Sequence, residues 1–215
     1  MMKRIFITGI GTGVGKTVTA ACVTQALQAD YWKPIQAGFE DGTDTATVHA
    51  LLSNSLSIQH KEVYCLREPA SPHLAARMEQ VQININTILH EADNIRTNGR
   101  PLIIEGAGGL LVPVNETVFT IDLIAQLNAA VIIVAQNYLG SINHSLLTAR
   151  ELQRSGIPVL GWIFSGDYHT NETDVIRWSN FPLIGRIQQG QITPAFIAEQ
   201  AANLRPGLEK ALQTS

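Results

Sequence analysis

The chain has 215 residues, 45% of them hydrophobic and 15% charged, and its 15 basic and 18 acidic side chains leave a formal net charge of −3. That balance suits one globular domain, residues 1–215, with a sizeable core, and it makes no electrostatic case for nucleic acid or an anionic membrane as partner. The two cysteines, Cys22 and Cys65, sit in no CxxC or Cys/His cluster, which argues against a metal–thiolate site or a disulfide framework.

In chain order, the first apolar run is RIFIT (4–8). Glycines break it after about five residues, too soon for a signal-peptide core. No later run approaches the roughly 18–20 residues of a membrane span, so the expected location is the cytoplasm. A helix is expected over 16–29, then a strand over 31–35 (YWKPI) and a helix over 43–53. The stretch 53–72, with Pro69 and Pro72, reads as irregular chain crossing an open rim of a sheet. Next come a helix over 84–97, a strand over 101–105, a helix over 119–128 and a strand over 130–135. The helix over 143–155 has Leu146, Leu147, Ala149 and Leu152 as an apolar stripe near Arg150, Glu151 and Arg154. Strands over 158–164 and 182–185 and a helix over 193–203 complete the pattern. Continuous β-branched runs alternating with helices imply an α/β fold, a doubly wound parallel sheet flanked by helices. In such a sheet, ligands gather where strands end.

The turn GIGTGVGKT follows the first strand and opens the first helix. Glycines permit close backbone approach, and N–H groups at a helix start attract anions. Lys16 is placed for the β and γ phosphates of a nucleotide and Thr17 for Mg²⁺. The usual spacing, GxxxxGK[ST], would put a glycine at position 10; Ile10 stands there and Gly9 lies one residue earlier. Glu105 ends the run PLIIE and has two readings, a metal-binding acid or a solvated strand-end carboxylate, the first favoured; Gly106, Gly108 and Gly109 follow it. Asp44 has two readings, a metal ligand or an ordinary residue of a helix start. Lys33, before Pro34, has two as well: a snorkelling edge lysine, or a cation for a transferring phosphoryl group. His73 and His144 lie at expected helix starts, where a structural role is at least as good an account as a chemical one.

The segments TGIGTGVGKT, YWKPIQAG, GTDTATV, EPASPHLAA, IIEGAGGLLVP and NYLGSINHSLLTAREL occur in order over residues 5–155. Together they resemble the dethiobiotin synthetase family, with weaker similarity to residue 187. The resemblance implies a three-layer P-loop NTPase fold and a homodimer. It implies ureido ring closure on 7,8-diaminononanoate with CO₂, ATP and Mg²⁺, giving dethiobiotin, ADP and phosphate. Carried over by position, Lys33 and Lys16 would be catalytic. Thr12, Gly13, Val14, Gly15, Lys16, Thr17 and Val18 would hold the nucleotide with Asp44, Glu105, Gly106, Ala107, Gly108 and Ser165. Thr17, Asp44 and Glu105 would hold the metal. Thr12, Ala37, Gly140, Ser141 and Asn143 would contact the diamine acid, the last three across the dimer interface.

Four positions depart from the family's pattern. Gly13 stands where an acid is frequent, Ala37 where Ser or Thr is, Ser165 where an Asn reads adenine, and Gln188 where Pro is common. Base discrimination is therefore expected to be relaxed, or carried by Gln188 and backbone groups. Two other classes share the glycine turn. Partitioning-type P-loop switches carry a lysine early in the loop, where Ile10 and Gly11 stand here. Amide-forming ligases of the cobyrinic acid type need a glutaminase region, for which 215 residues leave no room.

Overall fold

A strand that is apolar on both faces must be covered on both faces. The computed structural model, which describes residues 3–40, 42–166 and 171–213, meets that demand with two parallel sheets and eight helices. The main sheet contains β1 (Arg4–Gly9), β2 (Asp30–Trp32), β4 (Gln59–His60), β6 (Leu102–Glu105), β7 (Ala130–Gln136), β8 (Val159–Ser165) and β9 (Leu183–Ile187). Its order is β4-β2-β6-β1-β7-β8-β9, and every neighbouring pair is parallel. A small second sheet pairs β3 (Ile35–Ala37) with β5 (Tyr64–Leu66). The helices are α1 (Lys16–Leu27), α2 (Asp44–Leu51), α3 (Pro72–Met78), α4 (Ile85–Asn94), α5 (Thr120–Gln126), α6 (Ser141–Ser155), α7 (Glu172–Ser179) and α8 (Pro194–Gln213). Among the described residues no helix is long and apolar enough to cross a membrane.

β1 lies between β6 and β7. From β1 the chain runs through α1 to β2, beyond β6; from β6 it runs through α5 to β7, beyond β1. The two crossovers part at the carboxyl ends of β1 and β6, and that divergence opens a crevice there. The crevice floor is rigid, because Ile5, Ile7, Ile103, Ile104, Ile132 and Ile133 have no solvent exposure.

Several elements differ from the sequence expectation. The strand expected over 31–35 is two strands in two sheets. Proline has no N–H for a ladder and keeps its predecessor extended. Pairing with β6 therefore stops at Trp32, opposite Ile104, and Pro34 only accepts, from the N–H groups of Val63 (2.9 Å) and Tyr64 (3.1 Å). Lys33 is thus neither mid-strand nor on an outer edge; it is the joint between the sheets. The stretch 53–72 contains β4 and β5, strands of two and three residues, too short for periodicity to reveal. α7 was not expected either; it is tied in by Ser179, which accepts a hydrogen bond from buried Trp162 Nε1 at 3.0 Å. The last helix, expected to stop at 203, runs through Pro206 to Gln213 because Leu204, Leu208 and Ala211 continue its buried face.

Gly207 allows α8 to touch β9. A Cβ built there would lie 1.9 Å from the carbonyl oxygen of Ile184, a backbone atom that cannot swing aside. Gly207→Ala is expected to destabilise the protein by about 3 kcal/mol through overpacking, read as a lower midpoint in urea at unchanged slope.

Candidate active site

The loop after β1 turns on Gly13 (φ 75°) and Gly15 (φ 90°), in a backbone region that side chains disfavour. Gly15 is the N-cap of α1, and no side chain satisfies the first N–H groups of that helix. Those donors and the helix dipole face the crevice, which makes the helix start an anion site. Lys16 is 8% exposed, and its Nζ donates to the carbonyl of Gly11 at 2.8 Å.

The acids arrive from two other elements. Glu105 ends β6 and is 1% exposed. Asp44 is the first residue of α2, but Thr43 performs the capping, accepting from Ala46 N at 3.1 Å. The capping bond is thus made by Thr43, and the Asp44 carboxylate turns into the crevice, where it meets Thr17 and Lys33. Gln36 anchors this corner, accepting from Asp44 N at 3.2 Å and donating to Gly38 O at 2.7 Å.

Thr17 Oγ1 lies 3.0 Å from Asp44 Oδ1 and 2.8 Å from Glu105 Oε1. Lys33 Nζ bonds to Asp44 Oδ2 and reaches Glu105 Oε1 at 3.2 Å. The sheet register explains the meeting. Trp32 pairs with Ile104, so the next residues on the two strands, Lys33 and Glu105, emerge side by side. Burial works against the Lys33 charge, but Glu105 and Asp44 outweigh it and hold the ammonium above its ordinary pKa. Lys16 behaves oppositely. Burial, helped by the nearby Lys33 charge, outweighs its attraction to Glu105 and Asp44 and lowers it to about 8. Burial, with Glu105 and Asp44 nearby, also lifts the Tyr31 hydroxyl well above its usual value, so it stays a donor.

These groups floor a cleft of about 680 Å³. Of the residues expected at the site, Thr12, Gly13, Gly15, Lys16, Thr17, Val18, Lys33, Ala37, Asp44, Glu105, Gly106, Ala107 and Gly108 line it. Val14 is buried beneath the loop and lines a neighbouring cleft of about 260 Å³ with Ser165 and Gln188. There the Ser165 hydroxyl donates to Val14 O at 3.1 Å, so it is turned toward the loop. Gly140, Ser141 and Asn143 line neither cleft; they open α6, with Gly140 as its N-cap. Three groups escaped the sequence reading: Gln136, which lines the smaller cleft from the end of β7; the wall Pro69–Pro72; and Tyr31, whose hydroxyl donates to Glu105 Oε2 at 2.8 Å. Tyr31 stands two residues before Lys33, hence on the same strand face, and that spacing was the available signal. His73 pairs with Ser71 Oγ (3.0 Å) and His144 with the Tyr138 hydroxyl (2.6 Å), and neither lines the two clefts.

The depressed Lys16 has a measurable consequence. A bound polyphosphate stabilises the ammonium, so its pKa is higher in the complex than in the free protein. Nucleotide affinity is then full below about pH 8 and falls as pH rises above it, by up to tenfold per unit. Calorimetric titration from pH 7 to 9.5 should follow this course, and Lys16→Arg, which keeps its charge, should flatten it.

A parallel α/β sheet with an uncapped glycine turn at its switch point, a lysine at the helix start and an acid ending the adjacent strand defines a P-loop nucleotide-binding protein. A family model described as an AAA domain matches residues 3–193. Solved structures of similar fold include the MinC:MinD complex of Aquifex aeolicus (TM-score 0.60, 13% identity, 99% of this chain and 96% of that one) and pNOB8 ParA bound to nonspecific DNA (TM-score 0.60, 12% identity, both chains covered fully). At such identity the likeness is one of fold. Sequence relatives are far nearer. The chain is 51% identical to the ATP-dependent dethiobiotin synthetase BioD of Cytophaga hutchinsonii over 94% of this chain and 97% of that one. It is 45% identical to that of Christiangramia forsetii, over 88% and 89%, and 45% to that of Nitrobacter hamburgensis, over 91% and 93%. The chain belongs to the ATP-dependent dethiobiotin synthetases, ligases of biotin biosynthesis.

Proposed function

We propose that the chain closes the ureido ring of dethiobiotin on 7,8-diaminononanoate, consuming CO₂ and ATP with Mg²⁺ and releasing ADP and phosphate. The observation that carries this reading is the meeting of Lys16, Lys33, Asp44, Glu105 and Thr17 on one cleft floor whose lining, among the described residues, includes no cysteine or histidine. Such a floor stabilises charge on phosphoryl oxygens and needs no covalent nucleophile.

The donor set suits a small hard cation. One hydroxyl and two carboxylates converge, and Lys33 already brings a positive charge to both carboxylates. Thr17, Asp44 and Glu105 would hold Mg²⁺, which would neutralise phosphate charge. These side chains offer three oxygen ligands, and phosphate and water oxygens would complete the shell that Mg²⁺ prefers.

Thr12 to Val18 wrap the phosphates, with Gly106, Ala107 and Gly108 opposite. One amine of the substrate adds CO₂ and loses a proton to give a carbamate. The carbamate oxygen attacks the γ-phosphorus and ADP departs. The second amine attacks the carbonyl carbon of the mixed anhydride, loses its proton, and expels phosphate. Lys16 and Lys33 offset the charge that builds on the phosphoryl and carbamate oxygens, and positioning supplies the rest of the acceleration. Thr12 and Ala37 bound the diamine end of the cleft, Ala37 through its backbone. Gly140, Ser141 and Asn143, at the start of α6, meet the substrate carboxylate from a second copy in a homodimer, because a helix N-terminus favours a carboxylate. The site of action is the cytoplasm.

With purified protein, bicarbonate, Mg²⁺ and ATP, phosphate release should require the diamine and match dethiobiotin one to one. Hydrolysis of ATP that ignores the diamine would overturn the reading. Because Ser165 is spent on Val14, base reading falls to Gln136, Gln188 and backbone groups. Turnover with GTP or CTP within about tenfold of that with ATP is the expected outcome, and a larger ATP preference would count against it.

A further inference from the structure

Glu105 carries two oxygens with different surroundings. Oε1 faces Thr17 Oγ1 at 2.8 Å and Lys33 Nζ at 3.2 Å, toward the cleft. Oε2 points into the protein and meets the Tyr31 hydroxyl at 2.8 Å. Tyr31 has no solvent exposure and Glu105 has 1%. The rotation of a glutamate carboxyl about its last bond is soft, so its direction must come from its partners. On the cleft side those partners change whenever a ligand enters. On the inner side Tyr31 cannot move, because its backbone is paired with Ile103 of β6 on one side and with Gln59 of β4 on the other.

We propose that Tyr31 is the positioning residue of the site: its hydroxyl ties down one oxygen of Glu105 so that the other is aimed at the divalent cation. The proposal rests on the reading of Thr17, Asp44 and Glu105 as metal ligands. Strand alternation puts Tyr31 and Lys33 on the same face as Ile103 and Glu105, so one face of two adjacent strands supplies the ligand, its orienting donor and its counter-charge. Partners that orient a metal ligand commonly change metal affinity by about 10- to 100-fold when removed.

The test is Tyr31→Phe, which keeps the ring and removes only the donor. Mn²⁺ binding to the protein with a non-hydrolysable ATP analogue is followed by the electron paramagnetic resonance of free Mn²⁺. An affinity lower by about tenfold is expected, with nucleotide binding in the absence of metal unchanged. A merely structural loss would lower both. In a Glu105→Gln background, where the carboxylate is already gone, adding Tyr31→Phe should change Mn²⁺ affinity by less than about twofold. Wild-type Mn²⁺ affinity in folded Tyr31→Phe overturns the proposal, and so does an undiminished loss in the Glu105→Gln background. Should Tyr31→Phe not fold, Tyr31→Met lacks the donor as well and must show the same loss. If the wild-type complex binds no Mn²⁺, the metal reading and the role of Tyr31 fall together. If it binds Mn²⁺ but makes no dethiobiotin, only the assigned reaction falls and Tyr31 is judged by its own affinity data.

Discussion

Replacing Lys33 by alanine is expected to lower turnover by about a thousandfold and to weaken the ligand-free fold by about 3–5 kcal/mol. Both effects follow from one contact. The Lys33 ammonium is bonded to Asp44 and lies 3.2 Å from Glu105, and its side chain is 7% exposed. Its removal takes a cation from the proposed phosphoryl-transfer centre. It also leaves the buried Glu105 carboxylate beside Asp44 with no positive charge in contact. The stability loss should shrink when Mg²⁺ and nucleotide are added, because a ligand that binds only the folded state restores stability by mass action. Phosphate release and thermal midpoints with and without Mg²⁺–nucleotide measure the two parts. Near-normal turnover in folded Lys33→Ala would sink the assigned role.

Lys16→Ala should have an equally large effect on activity and a different one on stability. Turnover is expected to fall at least a thousandfold, since Lys16 is the lysine set at the helix start proposed to receive the phosphates. The ligand-free protein, however, should be no less stable than wild type. Burial already works against the Lys16 charge and lowers its pKa to about 8, so deleting it removes an unfavourable burial. Its side-chain hydrogen bond goes to the carbonyl of Gly11, a partly exposed residue, where water can replace it. Urea unfolding of the two variants side by side separates the roles: Lys33→Ala weaker than wild type, Lys16→Ala not. The reverse order would mean that Lys16 is the structural counter-ion.

The chemistry was legible early because it is written in contiguous segments. GTGVGKT carries its loop, its cation and its helix start within a few residues, and EGAGG carries an acid with backbone that can approach a ligand. The parallel sheet was legible for a related reason, since β6 and β7 bury both faces and so read as unbroken apolar runs. Elements of two or three residues, such as β4 and β5, are too short to display a period, and the part of helix α8 beyond 203 contains Pro206 and Gly207, the residue types least suited to a helix interior. Pro34 was visible in YWKP. Its effect, to send the chain into another sheet, depends on β5 arriving from some thirty residues on to accept it.

Residue types and near-neighbour spacing told of a polyphosphate cradle with Lys16 in it and of an acid, Glu105, at a strand end, because short-range geometry constrains those pieces; for Lys33 and Asp44 they left two readings each, and only the family resemblance chose between them. Which oxygen of Glu105 faces the cleft, why Thr43 rather than Asp44 caps α2, and why burial depresses one lysine while the carboxylates raise the other came from the packed molecule. Those outcomes turn on distances between strands and helices far apart in the chain. A hydrogen bond or a charge pair acts over a few ångströms in space, wherever its partners lie along the chain.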